Sequence, residues 1–175
     1  QLIKAIINYI HAQPQNIDTV CTYNAIEDKF MNVFKNVNHF GNIKGSNQYR
    51  DEKHICQVGL NRWSELVYVL YANEIEQYNH PDKSFNHRIY DKETIDNIRC
   101  SLLLADFEQN LYRCKIRNKD NLEPCIYTLI CSTTEQNGIY ENYQPLVNMI
   151  KTRYEKLGAT VNVINTPAQF KLLKA

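Results

Sequence analysis

Apolar residues in the first forty positions recur at helical spacing. Leu2, Ile3, Ile6, Ile7 and Ile10 share one face, and Pro14 ends that helix. Asp18 or Thr19 then caps a second helix, in which Ile26, Phe30, Val33, Phe34 and Val37 fall on one side. A polar, Gly-punctuated stretch follows from His39 to Lys53, and His54 to Leu60 reads as a strand. Two helices followed by a Gly-bearing ribbon predict a winged-helix-like unit over residues 1–60. Trp63 to Tyr78 makes a third helix, with Trp63, Leu66, Val67, Leu70, Tyr71 and Ile75 expected to face inward. Residues 79–90 form a loop. Asp91 then caps a long helix carrying Ile95, Ile98, Leu102, Ala105 and Gln109 on one side.

Further along, Tyr112, Cys114 and Ile116 alternate with Arg113, Lys115 and Arg117, which predicts a half-exposed strand with one basic face. Residues 118–121 supply a hairpin turn. The near-continuous apolar run Cys125–Cys131 predicts a buried central strand. A loop over 132–141, a helix over 142–157 with Leu146, Val147, Ile150, Tyr154 and Leu157 buried, Gly158 as its cap, and a strand over 160–165 then make a βαβ unit. Thr166-Pro167 opens a short terminal helix. The predicted class is α+β or α/β: a helical N-terminal part (1–60) packed with a small mixed sheet (61–175) that ends in the βαβ unit.

Composition narrows the picture. The 175 residues are 43% hydrophobic and 22% charged, enough apolar surface to offset the entropy of ordering, which excludes a disordered chain. Twenty basic against nineteen acidic residues leave a formal charge of +1, so no global field draws the chain to nucleic acid or membrane. No apolar run approaches the roughly 20 residues of a spanning helix. The abundance of Asn, Ile, Lys and Tyr fits an AT-rich coding sequence, viral, bacterial or protist. A chain beginning at Gln1 is expected to be part of a larger protein. The six cysteines are widely and irregularly spaced among apolar neighbours, and no Asn-x-Ser/Thr sequon occurs. Both features predict reduced thiols and an intracellular location, in cytoplasm or nucleus.

Four constellations carry candidate chemistry. The first is basic: Lys44, Arg50 and Lys53 with Tyr49 on the expected wing, and Arg113, Lys115 and Arg117 on the expected strand, offer phosphate contacts with stacking. The second is a thiol nucleophile. Cys21 near a helix N-terminus would favour thiolate, Gln15 would stabilise an oxyanion, His54 would be the base, and Asn61 and Trp63 would orient it. That order of Gln, Cys, His and Asn resembles the papain-like thiol hydrolases, and the resemblance implies those roles. The third is the loop after the apolar strand, where Ser132, Thr133, Thr134 and Asn137 would bind a phosphate or polar ligand. The fourth is metal or cofactor chemistry, and it finds no pattern. There is no C-x-x-C pair, no Gly-rich phosphate loop, and no zinc-deaminase ligand set; Glu27-Asp28-Lys29 is an isolated nuclease-like triplet. The sequence therefore predicts no cofactor and no metal. It predicts a non-enzymatic binding domain whose partner is nucleic acid or another protein, away from membranes, with the thiol hydrolase and the loop ligand as alternatives.

Overall fold

The computed structural model describes residues 1–42, 47–79, 92–132, 134–136 and 140–164. Lys44, the Asp91 cap, Thr133, Asn137 and the expected terminal helix lie outside them. The chain clusters into two compact units. One is built from residues 1–60, 108–131 and 160–175, the other from 61–107 and 132–159.

The first unit is organised by a four-stranded, wholly parallel sheet. Helix α1 (Leu2–His11) leads into β1 (Thr19–Thr22). A 3-10 turn (Asn24–Ile26) and the short α2 (Glu27–Met31) follow, then β2 (Val37–His39), β3 (His54–Val58) and β4 (Ile126–Ile130). The strand order is β2-β1-β3-β4. Val20 pairs with Val37 on one side and with Cys56 on the other, and Cys56 pairs with Thr128. The α/β class is as the sequence indicates, but the winged-helix-like arrangement is not what forms. Where the spacing predicts the start of a second helix, Thr-Val-Cys-Thr makes the central strand β1. Its β-branched residues resist helix and fit a pleat enclosed on both sides. The helical periodicity of Ile26, Phe30 and Phe34 survives as a turn and a half, which delivers all three to the core. Val33, expected on the same stripe, is 41% exposed.

Register assigns the faces. Val20, Val37, Cys56 and Val58 look toward Ile10 and Phe30, with Ile3, Ile6 and Ile7 of α1 packed beside them. Cys21, one residue out of phase, looks the other way, toward Tyr49 and Phe40. That second face also carries a buried polar chain. Asn110 Nδ2 donates to Gln57 Oε1 (3.2 Å), Tyr127 donates its hydroxyl to the same oxygen, and Gln57 Nε2 donates to the Gly59 carbonyl (3.0 Å). β4 is half-buried and, among the described residues, pairs only with β3; it is not the central strand its apolar run suggested. The sheet is parallel, not mixed. Residues 160–164 form no strand, so the expected parallel closure of the βαβ unit is absent there. Leu111–Arg117 is also no strand: it contains the end of a helix and a 3-10 turn (Lys115–Arg117).

The second unit holds α3 (Glu65–Asn79), most of α4 (Lys92–Leu111), a two-stranded antiparallel ribbon of β5 (Thr134–Gln136) and β6 (Tyr140–Asn142), and α5 (Gln144–Lys156). Tyr68 and Ala72 of α3 pack on Ile95, Ile98 and Leu102 of α4. Phe107 meets Tyr154 edge-on, ring centroids 5.8 Å apart. Gly158, at φ +84, closes α5: its N–H donates to the Glu155 carbonyl (3.0 Å), and Ala159 N–H to that of Tyr154 (3.0 Å). These two bonds satisfy carbonyls the helix end leaves open.

Candidate functional site

The thiol constellation is dispersed. Cys21 sits in the middle of β1, not at a helix N-terminus, and is fully buried. His54 opens β3 on the opposite face, since Cys21 is in register with Gln57, three residues beyond it. His54 is held instead by the Asn16 carbonyl at Nδ1 (3.2 Å) and the Thr128 hydroxyl at Nε2 (2.9 Å), and burial pushes its pKa below the usual imidazole value. Gln15 is exposed between α1 and β1. Asn61 belongs to the second unit, where it donates to Asp106, and Trp63 lies on that unit's surface. Burial raises the Cys56 thiol to about 12 and those of Cys114 and Cys131 to about 11, the reverse of activation.

Two of the basic groups do come together. Lys115 N–H donates to the Glu52 carbonyl (2.9 Å) and Asn118 Nδ2 to that of Arg50 (3.5 Å), which sets the 3-10 turn against the segment before β3. Lys53 and Lys115 both bind Glu123, Lys53 Nζ at 2.9 Å, and the two ammonium groups hold the Glu123 carboxyl down at about 2. One carboxylate thus takes up two of the expected phosphate contacts. Arg50 and Arg117 are exposed and Arg113 is half-buried. Tyr49 is 2% exposed under Cys21 and Phe40, so its ring offers nucleic acid no stacking surface.

The loop expected to bind a polar ligand contains the β5–β6 ribbon. Thr134 begins β5, and Ser132 is exposed just before it. In a parallel sheet ordered 2-1-3-4, the direction in which successive strands are added switches between β1 and β3, and ligands of such folds sit at the carboxyl ends of those two strands. Tyr23 fills that position here. Its hydroxyl donates to the Leu60 carbonyl (2.8 Å) and accepts from Leu60 N–H (3.1 Å), and a Cβ at Gly59 would lie 2.4 Å from its ring. Beside it, at the end of β2, His39 Nδ1 meets Glu27 at 2.9 Å, a pair that no spacing in the sequence announces.

Among the described residues, exposed apolar side chains gather on the outer side of α3. Tyr68 and Ala72 point to α4, and Leu66 (65% exposed), Leu70 (53%), Ile75 (49%) and Tyr78 (89%) lie open. Trp63 and Tyr71 join them, ring centroids 6.1 Å apart. Comparison with family models, curated proteins and solved structures finds no match. The site is therefore read from its residues. Five of the six side chains expected inward, Trp63, Leu66, Leu70, Tyr71 and Ile75, are exposed, and only Val67 is half-buried. The signal available in the sequence was the unbroken apolar run over residues 66–72, which puts apolar side chains on every side of two helical turns. Among the described residues no group of three or more His, Cys, Asp or Glu side chains is placed to hold a metal ion, and no helix is long and apolar enough to cross a membrane.

Proposed function

We propose that this chain is a binding domain for another protein and that its partner sits on the outer face of α3. One observation carries the reading: Leu66, Leu70, Ile75 and Tyr78 are each about half to nine-tenths exposed along a single helix, beside the exposed Trp63–Tyr71 pair. Contiguous apolar surface of this kind is costly in water and marks interaction sites, and aromatic residues are the usual anchors of such contacts. A nucleic-acid partner on Arg50, Lys53, Lys115 and Arg117 is less well supported, because Glu123 neutralises part of that group and Tyr49 is buried.

Photo-crosslinking in cells tests the choice. A photoreactive residue at position 66 or 70 is expected to give a discrete protein adduct, and one at the exposed Lys119 is expected to give none. The double variant Leu66→Asp/Leu70→Asp should lose the partner and keep its helical circular dichroism, since neither side chain is buried. Adducts to RNA or DNA, or adducts only at position 119, would overturn the proposal.

A further inference from the structure

The charges of α3 say what kind of protein would cover it. From Trp63 to Asn79 the chain carries Glu65, Glu74 and Glu76 and no Lys or Arg. Glu65 is committed inward: both its oxygens accept from Arg99 Nη2, at 2.7 and 2.9 Å. Glu74 is exposed and follows the open apolar line, spaced four residues from Leu70 and four from Tyr78. Leu66, Leu70, Glu74 and Tyr78 therefore form one ridge, since residues four apart stack on the same side of a helix. At 1.5 Å per residue the ridge from Leu66 to Tyr78 spans about 18 Å, a little over three turns.

Resting on the reading above, we infer that the occupant is an amphipathic helix of another protein, of about 15 residues, with an apolar stripe flanked by lysine or arginine. A helix is the matching element because a ridge of i, i+4 side chains fits the groove of a second helix, whereas a helix flank has no open backbone edge for a strand to pair with. The partner's cation meets Glu74, whose carboxylate would otherwise be covered without compensation. The same point weighs against a second copy of this chain. A two-fold interface presents the same patch twice, and among its described residues from Trp63 to Asn79 the patch brings the Glu74 carboxylate and no Lys or Arg to meet it.

The test uses the full chain and two synthetic 18-residue helical peptides with the same leucine stripe, one flanked by lysines and one by glutamates, read by fluorescence anisotropy. The lysine peptide is expected to bind, with Leu70→Asp weakening it at least about tenfold and Glu74→Lys about three- to fivefold. Equal binding of both peptides, abolished by Leu70→Asp, would leave the docking face in place and overturn the cationic partner. Failure of both peptides to bind would overturn the face as well. Sedimentation of the chain alone as a dimer that Leu70→Asp dissociates would make the second copy the occupant and overturn the inference. Glu74→Gln separates charge from shape: it removes the attraction without adding repulsion and should give part of the Glu74→Lys loss, and no loss with the glutamate-flanked peptide.

Discussion

Gly59 is where a single side chain decides the chemistry of the sheet's carboxyl edge. It adopts φ +98, which L side chains rarely enter, and its missing Cβ leaves room for the Tyr23 ring. Gly59→Ala is expected to cost about 3 kcal/mol, combining backbone strain with a clash against an aromatic ring. Gly41 is the control. It has nearly the same φ, +93, and nothing within 4 Å of where a Cβ would stand, so Gly41→Ala should cost only the backbone part, about 1 kcal/mol. Urea unfolding of both variants measures the difference. Equal losses would mean that Tyr23 does not occupy the crevice in solution. The sequence pattern carries the strand through Gly59 to Leu60, whereas β3 ends at Val58; the partner of Gly59 lies 36 residues earlier, and nothing local announces that contact.

At the scale of elements, α3 and α4 are joined by a buried charge as well as by apolar packing. The Arg99 side chain is 3% exposed. It grips Glu65 on α3 and Asp96 on its own helix, and its guanidinium lies 5.1 Å above the Tyr68 ring. Removing Arg99 leaves the largely buried Asp96 carboxylate without its cation, while Glu65, 40% exposed, turns to water. Arg99→Ala is therefore expected to destabilise the second unit by about 3 kcal/mol, and Arg99→Lys by less, since an ammonium retains the charge but not the two-pronged contact. Thermal melting followed by circular dichroism reads both. A loss below about 1 kcal/mol for Arg99→Ala would show that the pairing is no more than a surface ion pair. This anchor is also what turns α3: with Glu65, Tyr68 and Ala72 held inward, Leu66, Leu70 and Tyr78 are left outside.

For the whole molecule, the buried imidazole of His54 links stability to pH. Burial holds its folded pKa below the ordinary value of 6.5, with the Asn16 hydrogen bond and the Asp18 carboxylate opposing in part. Below pH 6.5 the unfolded chain takes up a proton that the folded chain refuses, so stability falls as pH drops from 6.5 toward the lower folded value. One proton limits that slope to about 1.4 kcal/mol per pH unit. Glu52 works in the other sense. Burial raises its folded pKa above 4.5, so its contribution is present at low pH and is lost as pH rises through the folded value. The Glu52 effect sets in above pH 4.5 and the His54 effect below pH 6.5, and the His54 part is isolated by comparing the natural chain with His54→Gln. The urea midpoint of the natural chain should drop more between pH 7.5 and 5.5 than that of the variant. Parallel curves would show that His54 is not the linked group.

The sequence by itself determined the elements whose burial is local and one-sided. The stripe Ile3, Ile6, Ile7 and Ile10 placed α1, Leu146 and Tyr154 placed the buried side of α5, Gly158 marked its end, and the compact apolar runs at His54–Val58 and Ile126–Ile130 marked two strands; Leu2 and Leu157, expected on the two helix stripes, are exposed because each stands at a helix end. Periodicity suffices there because each pattern has one reading. Only the tertiary structure decided the rest. Thr19–Thr22 is a strand because β2 and β3 lie on both sides of it, a condition no short window contains. Cys21 and His54 part because a strand sends successive side chains to opposite faces. Lys53 and Lys115 lose their availability to Glu123, which lies 70 residues from the first and 8 from the second. A helix apolar on every side over residues 66–72 does not reveal which side it buries. Arg99 and the α4 surface made that choice, and in making it left the face proposed here for a partner.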